Sequence, residues 1–227
     1  MTTRRFRTWF CLTAALFAGL ALRAGDLTPV QVKKASSIRC NNLIYAKDQT
    51  SVCFADKFLS TAAEKTGLNV TPKFFPVRLD SKEFFDSPFT VISGTGKFRF
   101  SEKEREHLRR YLMCGGFLLV SPGCSDSEWN TAFRNELKAI LPEAPLTKLP
   151  MTHPVFSTVF KIPVLTLHSG GRTLVEGLEL NGRLAMIYSA EGLNDHRHTE
   201  GCCCCGGNMI EESEQVNVNV LIYSLLH

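Results

Sequence analysis

Apolar runs of strand length alternate with stretches of helical period along this chain, and that alternation restricts what it can fold into. Residues 38–46 read as a mostly buried strand, after which Phe54, Phe58, Leu59, Ala62 and Ala63 recur at helical spacing until Gly67. Residues 89–93 form a second apolar run. Ser101 with Glu104 then makes a capping box for a helix that turns Leu108, Tyr111 and Leu112 inward and stops at Gly115-Gly116. Residues 117–120 are a third run, followed by a helix with Trp129, Ala132, Phe133, Leu137 and Ile140 on one face, closed by Pro142. Parallel strands need crossovers, and each of these helices supplies one. The expected fold is therefore α/β: an open, mostly parallel sheet with helices on both faces.

The second half is less regular. Residues 142–173 are rich in Pro, Thr and Gly without a clear period, and read as connections with short strands. Residues 174–180 and 184–188 predict a hairpin about Asn181-Gly182, a pair that accepts the turn's left-handed backbone. Residues 216–226 fit two patterns, because Val216, Val218, Val220 and Ile222 alternate like a strand while Val216, Val220 and Leu221 suit a helix. There is no internal repeat and no linker, so residues 38–227 are expected to be a single domain behind a polar lead at 25–37.

Residues 1–24 read as an export signal. Arg4, Arg5 and Arg7 precede an apolar stretch from Trp9 to Leu22, and Leu22 fits a small-residue cleavage site poorly, so an uncleaved anchor is the alternative. Removing these residues deletes four arginines and no acid. The 26 basic residues become 22 against 22 acidic ones, and the formal charge falls from +4 to zero. A neutral chain argues against nucleic acid as a partner, since phosphate neutralisation supplies most of that affinity. The expected location is periplasmic or secreted, with membrane contact only through an uncleaved N-terminal segment. Nine cysteines, eight of them beyond residue 24, suit a compartment where disulfides persist.

In an open parallel sheet, ligands bind beyond the carboxyl ends of the strands. Ser93-Gly94-Thr95-Gly96 follows the second strand and is a candidate for presenting backbone N–H groups to an anion; the alternative is a tight turn. Ser121-Pro122-Gly123-Cys124 follows the third. Cys124 stands where a nucleophile would, but the G-x-[SC]-x-G elbow is missing and Pro122 intrudes, which favours a structural or bridged thiol. His198-Thr199-Glu200 offers a base with an orienting acid, the pair a cysteine nucleophile needs. His153 before Pro154 and Arg183 beside Gly182 complete the ligand-binding candidates, with a turn cap and a surface arginine as their plain readings.

Four consecutive cysteines, Cys202, Cys203, Cys204 and Cys205, follow His196 and His198. In an extended chain alternate cysteines face opposite ways, so one pair can join the two histidines around zinc while the other bridges elsewhere. Disulfides to Cys40, Cys53, Cys114 and Cys124 are the competing account, and unbridged thiols the third. Cys114 and Cys124 are expected at opposite ends of one strand, too far apart to pair.

Taken together, Val91-Ile92-Ser93-Gly94-Thr95-Gly96-Lys97-Phe98 and Leu108-Arg109-Arg110-Tyr111-Leu112 with Gly115-Gly116-Phe117-Leu118 resemble the bacterial family catalogued as domain of unknown function 4159. Leu149-Pro150, His153-Pro154 and Phe156 look like its L-P-x-x-H-P-x-F element, and Gly182-Arg183-Leu184-Ala185 with Ile187-Tyr188-Ser189 like its G-R-L-A-x-I-Y-S strand. The resemblance covers about residues 38–226 and implies a fold similar to class I glutamine amidotransferases, a flavodoxin-like sheet, with the last segment helical. Two departures stand out: the family's loop usually reads G-H-G where this chain has Gly94-Thr95-Gly96, and it usually carries an acid near Ser121. The tetracysteine is not a family-wide feature.

The resulting expectation is an exported α/β domain that binds a small ligand or an envelope partner without catalysing a reaction. A hydrolase or amidase using Cys124, His198 and Glu200 is the enzyme alternative, and a structural envelope protein is the third.

Overall fold

Strand β1, Ile38–Tyr45, sends Cys40 to one face of a sheet and Leu43 and Tyr45 to the other, as a period of two requires. The central strands repeat the division. In β4, Phe89–Ile92, and β5, Phe117–Val120, the odd residues Phe89, Val91, Phe117 and Leu119 join one core, while Ile92, Leu118 and Val120 join the other. In β10, Arg183–Tyr188, the register slips by one residue between Leu184 and Met186, a bulge that puts Ala185 and Met186 into the same core. The computed structural model describes residues 37–50, 54–193 and 209–227, all within one compact unit spanning Ser36–His227.

Each core is closed by a pair of helices. Helix α1, Lys57–Thr66, buries Phe58, Leu59 and Ala62 beside α4, Ser213–Leu226, on one face. On the other, α2, Glu102–Met113, and α3, Ser127–Ile140, contribute Leu108, Tyr111, Leu112, Trp129, Phe133 and Leu137. The expected capping box is present: Ser101 Oγ accepts from the Glu104 amide and the Glu104 carboxylate accepts from the Ser101 amide. Asp126 caps α3 by accepting from the Trp129 amide at 2.7 Å.

The main sheet runs β2-β1-β4-β5-β10-β9-β6, with β3 also paired to β1; here β2 is Gln49–Thr50, β3 Val70–Arg78, β6 Thr147–Lys148 and β9 Glu176–Leu180, while β7, Leu165–Thr166, and β8, Arg172–Thr173, pair in a separate ribbon. β3, β1, β4, β5 and β10 are parallel, while β2 is added antiparallel to β1, β9 antiparallel to β10 and β6 antiparallel to β9. Numbered among themselves, the parallel strands are ordered 2-1-3-4-5. The chain is an α/β protein with a mixed, mostly parallel sheet covered on both faces.

Three features refine the sequence reading. β3 has no counterpart in it, because Pro72 and Pro76 break the pattern and only Val70 and Val77 are buried. Such a strand survives at a sheet edge, where a missing N–H costs no ladder bond and blocks pairing with another chain. The hairpin forms as expected, with Asn181 and Gly182 both left-handed at φ 53° and 75°. The ambiguous last segment is helix α4, buried on nearly all sides: α1 covers one flank, and the 154–157 turn another. Asn219, fully buried, holds that turn region by accepting from the amides of Val159 and Phe160 and donating to the Phe160 carbonyl. No described helix is long and apolar enough to cross a membrane.

Burial also sets the response to base. It pushes the Cys40 thiol and the Tyr188 hydroxyl up to about 12 from ordinary values of 9.0 and 10.0. Above pH 9 the unfolded chain sheds protons that the folded chain keeps, so this contribution to stability is complete below that pH and declines as pH rises toward 12. The urea midpoint is expected to fall steadily between about pH 9 and pH 11; an unchanged midpoint would show these groups to be solvated in the folded state.

Candidate functional site

The carboxyl ends of β1, β4, β5 and β10 deliver four chain segments to one edge of the sheet, and hydrogen bonds lock them together. Tyr45, the last residue of β1, donates its hydroxyl to the Ser93 carbonyl at 2.8 Å and accepts from the Trp129 indole at 2.6 Å. Gly123 donates its amide to the Gly94 carbonyl at 2.8 Å, tying the β5 exit to the β4 exit. Ser121, fully buried, donates to the Glu191 carbonyl and accepts from the Leu193 amide, both at 3.1 Å. Asn217 of α4 donates to the Leu193 carbonyl at 2.8 Å. Ser93 to Gly96, Ser121 and Cys124 thus share one edge.

The details bear on what each can do. A Cβ on Gly94 would run into the Tyr45 hydroxyl and lie 2.6 Å from the Trp129 indole nitrogen, so a substitution there reports on packing as well as on ligand approach. Gly96 is left-handed at φ 71° with open space where a side chain would begin. Cys124 and the next residue, Ser125, both have φ near 52°, an uncommon backbone for side chains larger than glycine, and one that clusters at functional turns. The Gly123 amide, spent on the Gly94 carbonyl, is not available to an oxyanion.

Arg183 and His153 are not at this edge. Arg183 opens β10 at the amino end of the parallel strands, where its guanidinium donates to the Leu112 carbonyl at 2.8 Å and to the Gly116 carbonyl at 3.3 Å. It thereby satisfies carbonyls at the end of α2 and places a cation against the negative end of the helix dipole. His153 accepts from the Val155 amide through Nδ1 at 3.2 Å and lies against Tyr223 near the end of α4. Burial lowers its pKa, with Glu179 opposing. The ligand-binding candidates of the sequence therefore divide between opposite edges of the sheet.

Cys40 is buried in the amino half of β1, Cys114 is exposed at the end of α2, and Cys124 follows β5; no two of these three are bonded to each other. Cys114 and Cys124 lie at opposite ends of β5, as the spacing predicts. Cys53, His196, His198, Glu200 and Cys202 to Cys205 lie outside the described residues. Gly192 and Met209, which bracket the tetracysteine in sequence, form a bridge with each other, and Ile210 bridges to Leu167. Among the described residues no three His, Cys, Asp or Glu side chains converge as a metal site.

What sequence reasoning missed is a ridge. Lys97, Phe98, Arg99 and Phe100 alternate, with the cations exposed and the rings turned in. Phe98 meets Tyr45 edge-on at 5.1 Å and lies 5.4 Å from Trp129. A groove of about 520 Å³ on one side of the ridge is lined by Lys47, Arg78, Asp80 and Glu104 together with ridge residues. A second, of about 450 Å³, runs along Ser127, Thr131 and Asn135 of α3. The signal was present in the alternating K-F-R-F, but only the sheet order brings Lys47 to it.

A family model described as Domain of unknown function (DUF4159) matches residues 43–225. A comparison with curated proteins returns no match.

Proposed function

The chain belongs to the DUF4159 family, and on that premise we propose that it is an exported α/β domain of flavodoxin-like, class I glutamine amidotransferase-like fold that binds a ligand at the carboxyl edge of its sheet without catalysing a reaction. One observation carries the reading. The parallel order 2-1-3-4-5 reverses between β1 and β4, and the groove beside the 97–100 ridge opens where those two strands exit; ligands of open α/β sheets settle at such a reversal. The arginine-led apolar start and the neutral remainder support export. The cysteine run, as a disulfide or zinc site, would then brace the same edge, since Gly192 and Met209 bring its two flanks together.

The test is hydrogen exchange on the protein, with and without the low-molecular-weight fraction of the exported compartment. Slowed exchange over residues 46–49 and 94–101 is the expected result. Protection confined to the edge around Arg183 and His153, or none, refutes the reading. Fractionation with a tag after His227 checks export separately, and full-length chain in the cytosol would remove it.

The enzyme alternative has one observation in its favour, the left-handed Cys124 at the turn from β5 into α3. Rapid alkylation of Cys124 that collapses when His198 is replaced by alanine would support it; alkylation indifferent to His198 would not.

A further inference from the structure

We infer that the groove between the β1 exit and the 97–100 ridge is an anion site, taking a small ligand with two or more phosphate or carboxylate groups; this names the ligand class for the edge-binding reading above and rests on it. Charge on the groove wall is unevenly committed. Its cations are Lys47, Arg78, Lys97 and Arg99, and its acids are Asp80 and Glu104. Both acids are engaged: Asp80 pairs with Arg78 at 3.2 Å, and Glu104 accepts from the amides of Ala46 and Ser101, each at 2.7 Å. Arg78 is held a second time by Asp48. Among the described residues Lys97 pairs with Glu128 alone, at 3.4 Å with both side chains largely exposed. Lys47 and Arg99 have no ion-pair partner among the described residues.

Lys47 and Arg99 thus border one groove with their charged groups committed to no described ion pair, while Glu104 turns both carboxylate oxygens to backbone amides; an anion in the groove would meet both cations at once. The wall is also built rather than loose. Ala46 and Lys47 take φ of 46° and 79°, a backbone that costs energy for residues with side chains and persists only where the surroundings impose it. Here the two residues lie in the turn of the β1–β2 hairpin, where Tyr45 pairs with Gln49, and the Ala46 amide bond to Glu104 ties that turn to the start of α2, placing Lys47 across the groove from a ridge pinned by Phe98. Nor does overall charge explain the cluster, since basic and acidic residues balance once residues 1–24 are set aside.

The experiment is titration of the full chain with pyrophosphate and, separately, with citrate at low ionic strength, followed by calorimetry and by the amide signals of Lys47 and Arg99. Saturable binding of one or both is expected, weakened by added salt. The preferred anion distinguishes a phosphate from a carboxylate ligand. The double variant Lys47→Glu with Arg99→Glu should lose about tenfold or more in affinity, and Lys47→Gln with Arg99→Gln a smaller part. The control pair Lys65→Glu with Lys161→Glu, exposed residues outside the groove, carries the same charge change and should bind like the unaltered protein. Equal loss in control and groove variants means nonspecific attraction and overturns the site, as does failure of the unaltered chain to bind either anion. Protection of the same edge by an uncharged compound would preserve the edge-binding reading while this inference fails.

Discussion

Replacing Trp129 by alanine is expected to destabilise the protein by about 3–5 kcal/mol, the range for emptying a buried aromatic site. The indole is fully buried and stacked on Phe133 at 5.2 Å, with Phe133 stacked in turn on Tyr188 at 5.5 Å. It also donates to the Tyr45 hydroxyl, which donates onward to the Ser93 carbonyl. The loss therefore has a packing part and a hydrogen-bond part, and a second substitution separates them. Trp129→Phe keeps a stacked ring and removes the N–H, so it should cost only about 1–1.5 kcal/mol if packing dominates. Equilibrium unfolding in guanidinium measures both. A cost below about 1.5 kcal/mol for alanine would mean that the carboxyl edge is not held by this cluster.

Glu104→Gln is expected to cost nearly as much as Glu104→Ala, about 2–4 kcal/mol, although glutamine is close to isosteric. The reason is donor count. The buried carboxylate accepts from two amides, Ser101 in its own cap and Ala46 at the exit of β1. A glutamine side chain has one oxygen to offer, so its NH2 group must face the other N–H, which loses its acceptor. An ordinary capping box would predict about 1 kcal/mol and an effect confined to α2. Here the amide signals of Ala46 and Lys47 should move as well, because this residue joins two walls of the groove. A glutamine variant within about 0.5 kcal/mol of the unaltered protein, with Ala46 unmoved, would reduce Glu104 to a local cap.

Much of this architecture was legible in local pattern. The apolar runs at residues 38–46, 89–93 and 117–120, the helical spacing of Leu108, Tyr111, Leu112, Trp129 and Phe133, the Ser101 cap and the Asn181-Gly182 turn each answer to their near neighbours in the chain. Their placement on strands and helices followed, and with it the position of Ser93 to Gly96, Ser121 and Cys124 on strand exits.

The sequence by itself determined which residues face a core and where the chain must turn, because those choices depend on side-chain size and backbone preference within a few residues. Tertiary structure alone decided the rest. Residues 216–226 became a helix because they are packed from almost every side, and a segment buried all round has no polar face to mark its period. Val70–Arg78 became a strand despite two prolines because β1 left an open edge for it. Arg183, a surface residue by its hairpin setting, was drawn to the end of α2 by unsatisfied carbonyls. The groove joins residues 46–49, 78–80 and 97–104, and no local pattern links these segments. Their meeting is fixed by strand order, a property of the assembled sheet that depends on contacts between residues far apart in the chain.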